Sequence, residues 1–172
     1  PIPDGVPQIL FPSRLLSDKG LYELVNACRV LHSEGENFQL ILSGPIDENS
    51  RAGVTETQIR NWESLGYIKW LGNQSDMVPI YKKCHLVCLP SYREGLSLSL
   101  LEAAASGRPI VTTDVPGCRD VVDDHRSGFV VPARAVKPLV EALRTLIRDS
   151  ELRSVMGSRG RQVVMQEFSL EA

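Results

Sequence analysis

Residues 85–113 read HLVCLPSYREGLSLSLLEAAASGRPIVTT, and the reading of this stretch decides the fold. The apolar run 85–89 is short enough for a buried strand, and Pro90 stops it. The alternation Leu96-Ser97-Leu98-Ser99-Leu100 fits a strand, but its continuation Leu101-Glu102-Ala103-Ala104-Ala105 demands a helix, which wins by length and alanine content. Gly107 closes that helix, and 109–113 supplies a second apolar strand. Strand, loop, helix and strand in this order form one βαβ unit, the building block of a parallel sheet.

The same alternation runs outward in both directions. Towards the amino end, 8–11 reads as a strand, 19–33 as a helix carrying Leu21, Leu24, Val25, Cys28 and Leu31 at helical spacing, and Ser17 or Asp18 as its cap. The run 38–42 is a buried strand ending in the loop Ser43-Gly44-Pro45. It is followed by a polar helix over 55–64, a strand over 67–71 and a capped helix over 75–83. Towards the carboxyl end come a short strand at 128–131 and two helices, 136–148 and 151–167. The prediction is an α/β fold: a Rossmann-like, doubly wound, mainly parallel sheet with helices on both faces. At 172 residues, 1–172 reads as a single domain. Its start at Pro1, in a Pro-rich segment of linker character, reads as a domain excised from a longer protein.

Bulk properties narrow the partners. A formal charge of −2 and a pI near 6.0 leave no basic surplus for a nucleic-acid backbone, so small molecules are the expected ligands. Cys28, Cys84, Cys88 and Cys118 lack the paired spacing of zinc sites and are too sparse for a disulfide scaffold. They read as reduced cytosolic thiols in the core. His32, His85 and His125 share no spacing that suggests a metal or a catalytic dyad, and 123–128 reads as a turn closed by glycine.

In an open parallel sheet, ligands bind beyond the carboxyl ends of the strands, which directs attention to loops 12–20, 43–54, 72–75, 90–97 and 113–119. Loop 90–97 leads into a helix, where free backbone N–H groups favour an anion. Gly95, with no side chain, would let the amides of Gly95, Leu96 and Ser97 approach a diphosphate. Glu94 cannot bind phosphate and is suited to accepting hydrogen bonds from sugar hydroxyls, while Glu102 could reach the vicinal hydroxyls of a ribose. Arg14 and Lys19 supply two cations at the first strand-to-helix connection, which would neutralise the same diphosphate. No metal is then required, in keeping with the lack of an Asp-x-Asp pair or a histidine cluster.

These residues resemble the carboxyl-terminal, donor-binding domain of glycosyltransferase family 4, the retaining nucleotide-sugar transferases of the GT-B fold. Ser13-Arg14-Leu15-Leu16-Ser17-Asp18-Lys19-Gly20 is similar to the family's phosphate loop, with Ser13 where glycine is usual. Leu42-Ser43-Gly44-Pro45 resembles its second glycine loop, Trp70-Leu71-Gly72 its Phe-Leu-Gly, and Leu89 through Gly95 its core signature, with Glu94 and Glu102 as its paired glutamates. The segments 105–111 and 115–120 continue the likeness in order. The resemblance implies that Arg14 and Lys19 bind the diphosphate, Glu94 contacts the transferred sugar, Glu102 holds the ribose, and Gly44 and the region around Asn73 and Gln74 border the nucleotide. It implies a donor without a further cofactor, a UDP-sugar and often a UDP-N-acetylhexosamine. It further implies a glycan or lipid-linked acceptor handled by an absent amino-terminal domain, and work on capsule, O-antigen or lipopolysaccharide. The enzyme would be cytoplasmic, with peripheral association of the full-length protein at the inner membrane face left open, and this half alone is expected to be inactive.

Two other readings stand beside it. A UDP-sugar 2-epimerase shares the architecture but needs histidine and acid residues near the sugar, and a catalytically silent interaction domain could keep the fold. A dinucleotide oxidoreductase is disfavoured, because no Gly-x-Gly-x-x-Gly follows the first strand.

Overall fold

The first strand sets the architecture: Ile9, Leu10 and Phe11 are all fully buried, as a strand covered on both faces requires. A computed structural model describes residues 1–168; the last four positions of the expected domain lie outside the described residues. Six strands, β1 (Gln8–Pro12), β2 (Gln39–Ser43), β3 (Ile68–Trp70), β4 (Leu86–Leu89), β5 (Ile110–Thr113) and β6 (Gly128–Val131), form one parallel sheet in the order β3-β2-β1-β4-β5-β6. Chain order reverses between β1 and β4, so this pair is the topological switch point where a crevice opens at the carboxyl ends.

The helices are α1 (Leu21–Ser33), α2 (Glu56–Glu63), α3 (Val78–Lys83), α4 (Leu98–Ala105), α5 (Pro116–Arg119), α6 (Val136–Arg148) and α7 (Ser150–Glu167). α1 packs with α6 and α4 with α7, giving the sheet its two helical layers. α6 buries Leu139, Val140, Leu143, Leu146 and Ile147, an apolar stripe at helical spacing. No helix among the described residues is long and apolar enough to cross a membrane. All four cysteines are buried and free; burial pushes the Cys28 and Cys88 thiols up, as inert core thiols require.

The expected elements form, with three local corrections. α1 starts at Leu21, because a 3-10 turn over Ser17–Lys19 precedes it and Gly20 holds the cap position at φ 73°; neither Ser17 nor Asp18 caps it. α3 begins at Val78 rather than at 75, with Pro79 in its first turn and Asp76 Oδ1 accepting the Val78 amide at 3.0 Å. α4 begins at Leu98, where the expected loop 90–97 ends; Ser97 turns the chain and accepts the Leu100 amide at 3.4 Å. The expected loop 113–119 contains α5, which Pro116 opens. In contrast, the capping box of Thr55 and Gln58 starts α2 where the sequence pattern put it.

Candidate functional site at the carboxyl edge of the sheet

The loops after β1 and β4 meet over the switch point by direct backbone contact. A Cβ on Gly20 would stand 2.0 Å from the Pro90 carbonyl oxygen, and the Tyr92 amide donates to the Asp18 carbonyl at 2.9 Å. From the other side, a Cβ on Gly117 would stand 1.4 Å from the Gly95 carbonyl oxygen, so the loop after β5 also lies against the loop after β4. Two buried hydroxyls of β5 fix where β4 ends: Thr112 Oγ1 donates to the Leu89 carbonyl at 2.8 Å and Thr113 Oγ1 to the Ser91 carbonyl at 2.5 Å. Tyr92 is anchored as well. Its hydroxyl donates to Glu23, the Arg134 guanidinium lies 4.4 Å over its ring, and burial followed by Glu23 pushes the phenol up to about 12.

This scaffold brings the predicted residues into two depressions on one edge. The first, about 420 Å³, is lined by Asp18, Lys19, Arg93, Glu94 and Gly95. In it, Glu94 Oε1 accepts from Lys19 Nζ at 2.6 Å and from Ser91 Oγ at 2.8 Å, with the two charged side chains only 17% and 13% exposed. Gly95 beside them has neither a left-handed φ nor any atom within 4 Å of where a Cβ would stand. Nothing among the described residues demands glycine there, so a side chain could be added without a clash inside the protein.

The second depression, about 170 Å³, gathers Arg14, Ser43, Gly44, Asn73, Tyr81 and Glu102 among its lining. Gly44 is held from both sides: its amide donates to the Gly72 carbonyl at 2.9 Å, and Trp70 Nε1 donates to its carbonyl at 2.9 Å. Arg14 extends into solvent 3.8 Å from Asp47, in the loop after β2. Glu102 is exposed on α4 beside the buried Tyr81, whose hydroxyl donates to the Ser99 carbonyl at 3.0 Å; burial and then the Glu102 carboxylate push that phenol up.

Of the expected residues, Arg14, Gly44, Asn73 and Glu102 thus share one depression, and Lys19, Glu94 and Gly95 the other. Ser97 departs from its expected role. It is buried, and its amide donates to the Gly117 carbonyl at 3.4 Å, so the Gly95 and Leu96 amides are the ones without a protein acceptor among the described residues. Sequence reasoning missed Ser91, Asp47 and Tyr81. Ser91 lay inside the quoted signature, but Asp47 and Tyr81 come from other elements and carry no local signal. No group of three or more His, Cys, Asp or Glu side chains able to hold a metal occurs among the described residues. A roomier depression, about 850 Å³, lies at the opposite end, lined by Gln8, Gln39, Tyr67 and His85 where four strands begin, outside the switch-point crevice.

The model of the family described as Glycosyl transferases group 1 matches residues 1–163. The chain is 30% identical over 160 residues to the capsular polysaccharide biosynthesis glycosyltransferase CapM of Staphylococcus aureus, covering 92% of this chain and 41% of that protein. It is 31% identical over 163 residues to the N,N'-diacetylbacillosaminyl-diphospho-undecaprenol alpha-1,3-N-acetylgalactosaminyltransferase of Campylobacter jejuni, covering 95% and 41%. The solved structure of Anabaena HepE in complex with UDP superposes with a TM-score of 0.85 at 23% identity, covering 95% of this chain and 45% of that one, a likeness of fold. The chain spans less than half the length of these three proteins.

Proposed function

Since the chain belongs to the group 1 glycosyltransferases, we propose that it is the donor-binding half of a retaining enzyme that uses a UDP-sugar. The observation that carries this reading is the convergence of two cations, two acids and the open Gly95 on the switch-point edge. Glu102 holds the ribose hydroxyls, with Asn73 and Gly44 bordering the nucleoside. Arg14, Lys19 and the amides of Gly95 and Leu96 take the diphosphate, and Glu94 takes a hydroxyl of the sugar.

As the glycosidic bond breaks, negative charge grows on the departing diphosphate oxygen. Fixed cations and amides stabilise that charge more than they stabilise the bound donor, which lowers the barrier. No protein nucleophile and no metal enter this scheme. The acceptor is handled by the part of the protein that these residues do not include. The Campylobacter jejuni relative is named for adding N-acetylgalactosamine to a diphospho-undecaprenol carrier, and the Anabaena neighbour holds UDP. By analogy, a UDP-N-acetylhexosamine donor and a lipid-linked or glycan acceptor in cytoplasmic surface-polysaccharide synthesis are proposed here. The 2-epimerase reading loses ground because none of the three histidines lines either depression at the carboxyl edge.

Calorimetric titration of the chain with UDP, UDP-sugars and GDP-sugars tests the reading. UDP should bind, and Arg14→Ala and Glu102→Ala should each weaken it about ten-fold or more, the loss of a charged hydrogen bond. A folded wild-type chain that binds no nucleotide, or variants that bind UDP as the wild type does, would sink the proposal in favour of a silent domain.

A further inference from the structure

Glu94 can serve a sugar only if one carboxylate oxygen is held in the protein and the other is presented to the ligand. Both protein donors converge on Oε1, Lys19 Nζ at 2.6 Å and Ser91 Oγ at 2.8 Å, and Oε2 receives no donor among the described residues. A carboxylate oxygen offers two lone pairs, so Oε1 is saturated and Oε2 is the free acceptor. The two donors are not equivalent. In the donor-site reading, on which this inference rests, Lys19 also answers to the diphosphate, so its ammonium divides its donors between Glu94 and an arriving anion. Ser91 has no such second partner. It is fully buried, its carbonyl is fixed by Thr113 Oγ1 at 2.5 Å, and its hydroxyl donates to Glu94 alone.

We propose that Ser91 is a positioning residue for the donor sugar: its buried hydroxyl pins Oε1 of Glu94 and thereby aims Oε2 at a hydroxyl of the transferred sugar. The role lies outside the phosphate and nucleoside contacts, so it separates in binding. What matters is the sugar increment, the ratio of the affinity for the best of UDP-glucose, UDP-galactose and their N-acetyl forms to the affinity for UDP.

Ser91→Ala should cut that increment about three- to ten-fold, the range of one hydrogen bond, and leave UDP affinity unchanged. Ser91→Cys keeps a side chain with only a weak donor and should fall between, and it carries the comparison if the alanine variant does not fold. In a cycle with Glu94→Ala, adding Ser91→Ala should cost nothing further, since Ser91 acts only through Glu94. The inference is overturned if Ser91→Ala keeps the full increment, if the two substitutions add, or if UDP and UDP-sugar weaken by the same factor, the mark of a merely structural residue. Failure of the underlying reading looks different: the wild-type chain would bind no UDP, or UDP-sugars no better than UDP.

Discussion

Gly117→Ala and Gly95→Ala make a paired experiment in which the same added methyl should have opposite consequences. On Gly117 the new Cβ would stand 1.4 Å from the Gly95 carbonyl oxygen and 2.7 Å from that of Glu94. Restoring ordinary contact near 3.5 Å requires a displacement of roughly 2 Å, shared between the loop after β5 and the loop carrying Glu94. Both are backbone segments, so no side-chain rotation relieves the clash, and overpacking of this kind costs about 1–3 kcal/mol. For a chain of this size each kcal/mol lowers the melting temperature by roughly 2–4 °C, so the drop should be roughly 2–12 °C. The same shift moves Glu94 and the Gly95 and Leu96 amides off their targets, and UDP-sugar affinity should fall with stability. On Gly95 the new Cβ meets nothing within 4 Å, so the melting temperature should stay within about 1 °C of wild type. In the proposed donor site a bound diphosphate or sugar fills that space, and donor affinity alone should fall. Thermal denaturation beside calorimetry reads both. A Gly117→Ala variant that melts and binds like wild type would refute the loop contact, and a Gly95→Ala variant with wild-type donor affinity would refute the ligand's approach at that position.

Two further outcomes follow from contacts away from the reacting groups. His85 is buried with Nδ1 accepting the Gln8 amide at 3.0 Å, and burial, then the Arg153 and Arg108 charges, lower its pKa. The unfolded chain therefore binds more protons than the native one below about pH 6.5, so stability complete at neutral pH falls as pH drops through that value, by up to about 1.4 kcal/mol per pH unit, and His85→Asn should flatten the slope of melting temperature against pH between about 6.5 and 5; an unchanged slope would count against a buried neutral imidazole. Trp70→Phe keeps a ring but removes the indole donor to the Gly44 carbonyl, and should lower stability by about 0.5–1.5 kcal/mol and weaken UDP binding with it, read by denaturant unfolding and calorimetry; stability equal to wild type would show the bond to be without net value.

Much of the fold was legible because the strands are short, wholly apolar and separated by helical periodicity, as residues 85–113 show in miniature. Element starts were less legible wherever a residue served the tertiary structure rather than its own helix. Ser17 and Asp18 look like caps, yet Gly20 turns left-handed there so that the first loop can touch Pro90, a demand written 70 residues away. Ser97 looks like an open amide donor at a helix start, but Gly117 captures its N–H. The site's charged residues were legible from their places at strand ends. Among their partners, Asp47 beside Arg14 and Tyr81 beside Glu102 depend on which elements the sheet order brings together, whereas Ser91 lies three residues from Glu94 in the same loop and was legible only as part of that signature.

Those partners also give the two cations different work. Arg14 and Asp47 stand 3.8 Å apart with side chains 59% and 33% exposed, a contact that solvent screens and that contributes little. An arriving diphosphate can take the guanidinium at small cost, so Arg14 is the group free to swing. Lys19 and Glu94 form a short pair with most of both side chains out of water, and parting such a pair strands a charge. Lys19 is therefore best used near its resting place, with the donor brought to it rather than the reverse. That requirement fixes the order of the site along the edge. In the proposed site the mobile cation lies with Glu102 and the loops assigned to the nucleoside, the immobile one with Glu94 and the open Gly95, and the bond to be broken would fall at the end where the protein's charges move least.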